Sequence, residues 1–126
     1  MSRIFTAIAS PVARDRVHEC RVMAQEKRRL SAQFRALIPA GVTIVRAQWD
    51  MHVPGDVAFS APQINGTASS VLMEAVREGG GAEIRCQVTL SNGEVLSQYF
   101  CILIGVGPVF NDPVGSFGPT QLVVNA

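Results

Sequence analysis

Two histidines, three cysteines and ten carboxylates are what this 126-residue chain has for acid–base, nucleophilic or metal chemistry. His18 and His52 stand far apart, and neither has a neighbouring serine or cysteine with a carboxylate in a nucleophile setting such as Gly-x-Ser-x-Gly. Asp50, His52 and Asp56 share one predicted loop, where oxygen donors and an imidazole could gather a cation; a solvated polar loop is the simpler reading. Gly79-Gly80-Gly81 would suit a phosphate cradle, but no Lys-Ser/Thr follows and the next segment reads as a strand, so it predicts a loose connection. Asn65-Gly66-Thr67 matches a glycosylation acceptor without an accompanying secretion signal. These residues predict no enzyme, cofactor, metal site or small-molecule substrate.

Cys20, Cys86 and Cys101 are an odd set without a Cys-x-x-Cys pair, which argues against a disulfide framework or a zinc site. A Cys86–Cys101 bridge between neighbouring strands is conceivable; buried, reduced thiols are the expectation.

Charge offers a different kind of chemistry. Residues 1–39 carry eight basic against three acidic side chains, a net of +5, whereas residues 40–126 carry three against seven, a net of −4. Opposite fields at two ends steer subunits head to tail, or the basic end toward an acidic partner. Arg14, Arg21, Arg28 and Arg35 recur every seven residues within the basic part.

The element predicted to carry them is a helix. Ser10-Pro11 reads as a cap followed by proline at the first helical position, and no glycine or further proline occurs before Ile38. Ala13, Val17, Cys20, Ala24, Ser31, Phe34 and Ile38 fall at helical spacing, with Lys27 interrupting the stripe, and Pro39 and Gly41 end it. Three readings of this basic amphipathic helix stay open: an arm packed on a neighbouring subunit, a solvated helix on its own domain, and a nucleic-acid reader. The arm is preferred, because no aromatic residue interleaves with the arginines and an acidic partner surface already exists in the chain.

After Gly41 the period changes to two. Strands are predicted around Val42–Trp49, Val57–Ser60, Ser70–Ala75, Ile84–Leu90 and Val95–Ile104, with turns at Pro54-Gly55 and Asn65-Gly66. Trp49 is expected to anchor the core at a strand end. A two-residue Asn92-Gly93 loop would set Val88 opposite Ser97. A three-residue loop, Ser91-Asn92-Gly93 with Gly93 left-handed, sets Val88 opposite Leu96 and Ile84 opposite Phe100; it pairs apolar with apolar and is preferred.

The predicted fold class is therefore mainly β: an immunoglobulin-like antiparallel β-sandwich (40–104), preceded by an N-terminal segment with the amphipathic α-helix (1–39) and followed by an extended Gly/Pro-rich C-terminal arm (105–126). The arm ends in strand-like Leu122-Val123-Val124, suited to lying on a surface or adding a strand to one.

The order Thr43-Ile44-Val45-Arg46-Ala47-Gln48-Trp49, Gly66-Thr67-Ala68-Ser69-Ser70-Val71-Leu72, Gly79-Gly80-Gly81-Ala82, Val88-Thr89-Leu90-Ser91-Asn92-Gly93 and Phe100 to Ile104 resembles the small β-domain of the fibre-tail adaptors of tailed bacteriophages. It covers about half of the chain and leaves out the basic N-terminal segment and the Gly/Pro-rich tail. The resemblance implies a virion structural protein made in the host cytoplasm, joining tail, neck or baseplate to fibres or decorating the particle. Its partners would be other copies of itself and other virion proteins, with neither membrane nor nucleic acid among them. Arg14, Arg21, Arg28 and Arg35 are the expected charge-pairing residues of its interfaces, and Phe34, Ile38, Leu122, Val123 and Val124 the apolar ones. A small nucleic-acid-binding protein and a monomeric ligand-binding sandwich module are the alternatives.

Overall fold

Alternating apolar and polar residues build nine strands among the residues described. A computed structural model describes residues 4–9, 17–52, 56–106 and 121–126. The strands are β1 (Ile4–Ile8), β2 (Val17–Met23), β3 (Lys27–Gln33), β4 (Ile44–Met51), β5 (Val57–Asn65), β6 (Ala68–Ala75), β7 (Gly81–Leu90), β8 (Val95–Gly105) and β9 (Gln121–Asn125). They form a four-stranded sheet in the order β1-β3-β6-β5 and a five-stranded sheet in the order β2-β8-β7-β4-β9. Both sheets are mixed rather than purely antiparallel, because β1 runs parallel to β3 and β2 parallel to β8.

The predicted N-terminal helix does not form over residues 17–38, and its expected Ser10-Pro11 start lies outside the described residues. Residues 17–23 and 27–33 are strands, and the only helical element among the described residues is a single 3-10 turn, Arg35–Leu37. The physical reason lies in a second period hidden in the same residues. Cys20 and Val22, then Leu30, Ala32 and Phe34, alternate with more exposed neighbours and are all buried, while Val17 of the helical stripe is half exposed. Between the two strands Gln25 adopts a left-handed φ of 73°. Glu26 closes this turn: its Oε1 accepts the Met23 N–H at 2.6 Å, and its own N–H donates to the Met23 carbonyl at 3.2 Å. The turn then leans on the end of β6 through Gln25 N–H to Ala75 O and Ala75 N–H to Glu26 O.

The β7–β8 hairpin has the apolar register, with Val88 opposite Leu96, Ile84 opposite Phe100 and Gly93 at φ 92°. Cys86 and Cys101 lie on this hairpin as free thiols; Cys86 is in phase with the core positions and Cys101 with the outward ones, so they point to opposite faces of the sheet.

One apolar cluster joins the facing sides of the two sheets. Trp49, Phe100, Ile84 and Val88 come from the five-stranded sheet, and Leu30, Phe34, Val71 and Met73 from the four-stranded one. Each such side chain contributes about 1.5–3 kcal/mol by leaving water. Trp49 meets Phe100 at 5.6 Å between ring centroids, and its indole N–H donates to Ser69 Oγ at 3.0 Å, tying β4 to β6 across the layers. Two β-bulges shape the margins, at Ile44/Arg46 in β4 and at Ser60/Gln63 in β5. The second contains Ala61 at φ 48° and Pro62, which lacks a ladder donor and fits because β5 is an edge strand.

Candidate docking face on the five-stranded sheet

Because side chains alternate across a strand, burying Ala47, Trp49, Ile84, Cys86, Phe100 and Ile102 forces their neighbours onto the outer face. The ladder then lines up one row across all five strands: Gln121 opposite Asp50, Asp50 opposite Arg85, Arg85 opposite Tyr99, and Tyr99 opposite Val17.

The centre of that row is a saturated carboxylate. Asp50 Oδ2 accepts Arg85 Nη2 at 2.6 Å and Nε at 3.0 Å, a side-on pair that orients the guanidinium. Gln121 Nε2 donates to Oδ1 at 2.9 Å, and Gln48 Nε2 reaches both oxygens at 3.0 and 3.2 Å. Partial burial works to raise the Asp50 pKa, but the bonds from Arg85, Gln121 and Gln48 outweigh it and hold the carboxyl below its ordinary value. The Arg85 guanidinium is pushed up in turn, chiefly by its bond to Asp50. Both carboxylate oxygens of Asp50 thus accept hydrogen bonds from neighbouring side chains. The row therefore forms a hydrogen-bonded polar rib across the sheet.

Apolar side chains flank the rib. Among the described residues, six of the nine exposed large hydrophobic side chains, Val17, Met23, Val95, Tyr99, Leu103 and Val123, stand on this one outer face, which distinguishes it from scattered surface apolarity. An open depression of about 280 Å³ lies over Asp50, His52, Glu83, Arg85 and Tyr99, and a second of about 250 Å³ continues it toward Cys101 and Leu103. Both are hollows between rows of side chains on the same face.

The residues expected at interfaces scatter. Arg14 lies outside the described residues. Arg21 is on the outer face of β2 in an ion pair with Glu19, Arg28 is in β3 of the other sheet near Glu26, and Arg35 is in the 3-10 turn. The seven-residue arginine period makes no common row among the described residues, since a strand turns successive side chains through about 180° rather than 100°. Phe34 is wholly buried in this chain's own core, and Ile38 packs against it. In β9, which adds an edge strand beside β4, Leu122 and Val124 lean on the core and Val123 points outward.

Asp50 and Asp56, expected to share a loop, engage different partners: Asp56 accepts the Gly81 N–H at 3.0 Å and pairs with Arg77 at 3.4 Å. No cluster of three or more His, Cys, Asp or Glu side chains able to hold a metal occurs among the described residues, and none of their helices is long and apolar enough to cross a membrane. Sequence reasoning missed Arg85, Tyr99 and Gln121. The available signal was the outward parity of Asp50 and Arg85 once Trp49 and Ile84 are placed in the core. No protein-family model matches this chain, and no curated protein matches it either.

Proposed function

We propose that this chain is a non-catalytic structural subunit of a tailed-phage particle, docking on a neighbouring virion protein through the outer face of its five-stranded sheet. The observation that carries the docking half is the concentration of exposed apolar side chains on that face around the Asp50–Arg85 rib. Such a surface resembles a protein interface, with apolar anchors beside pre-ordered polar groups. The virion half rests on the order of strand and turn motifs from Thr43 to Ile104 that resembles the fibre-tail adaptors. Within the same proposal, the two facing sheets form an immunoglobulin-like sandwich. A monomeric small-molecule module is less well supported by open hollows than by an enclosed cavity.

The test is to quantify the chain by mass spectrometry in purified particles, alongside the double variant Tyr99→Ala/Leu103→Glu. A fixed copy number relative to a major particle protein is expected for the parent. Loss of the variant from particles, with its thermal unfolding preserved, assigns the contact to this face. Particles devoid of the parent chain would overturn the proposal.

A further inference from the structure

We infer that the free edge of β2 pairs antiparallel with the same edge of a second copy, about a two-fold axis through Cys20, joining two five-stranded sheets into one of ten strands. This deepens the assembly reading and rests on it.

The strand orders place β1 and β2 at one end of the molecule, while β5 lies beside β9 at the other. Among the described residues, β2 has a partner strand on one side only, β8. Edge strands are commonly blunted by proline, a bulge or shortness; β2 has seven residues, no proline and an unbroken register against β8.

The direction of its backbone groups can be read from the turn that follows. The Met23 amide donates to Glu26 and the Met23 carbonyl accepts from Glu26, so the polar groups of residue 23 face away from β8. In a strand these groups alternate sides, so those of Arg21, Glu19 and Val17 face the same open edge. Antiparallel exchange of both bonds needs such residues opposite one another. Centring the pairing on Cys20 does this, with Glu19 opposite Arg21 of the second copy and Arg21 opposite its Glu19.

Side chains agree with that register. Odd-numbered residues of β2 point to the outer face and even-numbered ones to the core side, and the two-fold axis keeps both parities. Glu19 and Arg21 already contact within one strand at 3.1 Å, with their side chains 52 % and 79 % exposed. In the pair, four charges alternate in sign at the corners of a rectangle, each beside two opposite charges. Val17 meets Met23 of the second copy at each end of the seam through side chains alone, since the Met23 backbone groups are held by Glu26; the two apolar side chains are 51 % and 45 % exposed in one copy. A one-residue shift would set outward-facing backbone groups against inward-facing ones and lose both matches.

The test is sedimentation equilibrium of the full chain and of Glu19→Arg and Arg21→Glu, singly and mixed, at low and high salt. Both side chains are exposed, so neither change threatens folding, and circular dichroism checks this. The parent should dimerise, and each single variant should weaken association by about tenfold or more, because like charges then stand opposite across the seam. An equimolar mixture of the two variants should recover the parent's affinity, since every Arg then faces a Glu. A monomeric parent, singles as tight as the parent, or a mixture as weak as the singles would each overturn the pairing. A chain that fails here yet enters particles loses only this inference, whereas absence from particles overturns the assembly reading instead.

Discussion

Replacing Ser69 by Ala should cost far more than the size of the hydroxyl suggests. Ser69 is fully buried in β6, where its Oγ accepts the Trp49 indole N–H at 3.0 Å and donates to the Gln63 carbonyl at 2.9 Å. Trp49 is equally buried, so its N–H loses its acceptor with no water to replace it, at about 2 kcal/mol. Gln63 is an exposed residue of an edge strand whose carbonyl can be rehydrated, which adds only about 0.5 kcal/mol. The expected sum is about 2.5 kcal/mol. With a urea m-value of about 1.7 kcal/mol/M, the midpoint should fall by about 1.5 M. Circular dichroism is the suitable probe, since the cycle also needs Trp49→Phe. In that background Ser69→Ala should cost about 0.5–1 kcal/mol, a coupling of about 1.5 kcal/mol. Ser70→Ala supplies the control at under about 1 kcal/mol: Ser70 is buried too, but its partner Arg29 is half-buried and keeps the Ala61 carbonyl at 3.1 Å. A Ser69→Ala stability within about 0.5 kcal/mol of the parent, or no coupling to Trp49, would refute the argument that this bond ties the layers.

Three further outcomes are expected. Asp50→Asn should destabilise by about 1 kcal/mol by weakening the paired hydrogen bonds, the partial exposure of the site limiting the cost. Because the Asp50 carboxyl is depressed in the folded state, its contribution is present above the unfolded value of 3.8 and lost as pH falls through the folded one. The parent should therefore lose stability on acidification from about pH 4 more steeply than the Asn variant, as acid titration followed by circular dichroism will show. Burial, aided by nearby Cys101 and Glu19, pushes the Cys20 thiol up to about 11, and burial also raises Cys86. Thiol titration of the native protein at pH 8 should label Cys101 first and the other two only after unfolding; the Cys20 contribution to stability is complete below pH 9 and fades as pH rises toward 11. Gly93→Ala, at a left-handed φ of 92° with open space around the new methyl, should cost about 1 kcal/mol in urea unfolding, and a cost near zero would argue against this turn geometry.

What could be read in the chain and what could not divides by range of interaction. The β7–β8 hairpin is local: Asn92-Gly93 sets a turn, and matching apolar residues on either side fixes the register without any distant partner. Strands β4 to β6 likewise announce themselves through alternation, and the Asn65-Gly66 turn joins β5 to β6; the expected Pro54-Gly55 turn lies outside the described residues. Residues 17–33 misled because Ala, Arg, Gln, Glu, Lys, Leu and Met favour helix locally and the intervening turn has neither Gly nor Pro. Their strand state is enforced by β8 and β6, far away in sequence, and Gln25 takes the strained turn position that a glycine would have advertised. The rib failed to show for the same reason. Asp50 and Arg85 are ordinary charged residues until β4 and β7 pair, and Gln121 belongs to a strand whose partner lies more than 70 positions earlier.

The parallel pairing of β2 with β8 also sets a timetable for the chain as it is made. Val17 must wait for Tyr99, 82 residues later, before its ladder can close. At about 5–20 residues per second that interval is about 4–16 s on the ribosome. During it both margins of β2 are open, including the one that β8 will later occupy, whereas β3 can reach β6 after a little over 40 residues. Nascent chains crowded on one messenger therefore offer one another a seven-residue template before each has its own. A cell making this protein fast should gain most from a chaperone that binds extended segments, and slowing translation ahead of residue 95 should lower the soluble yield.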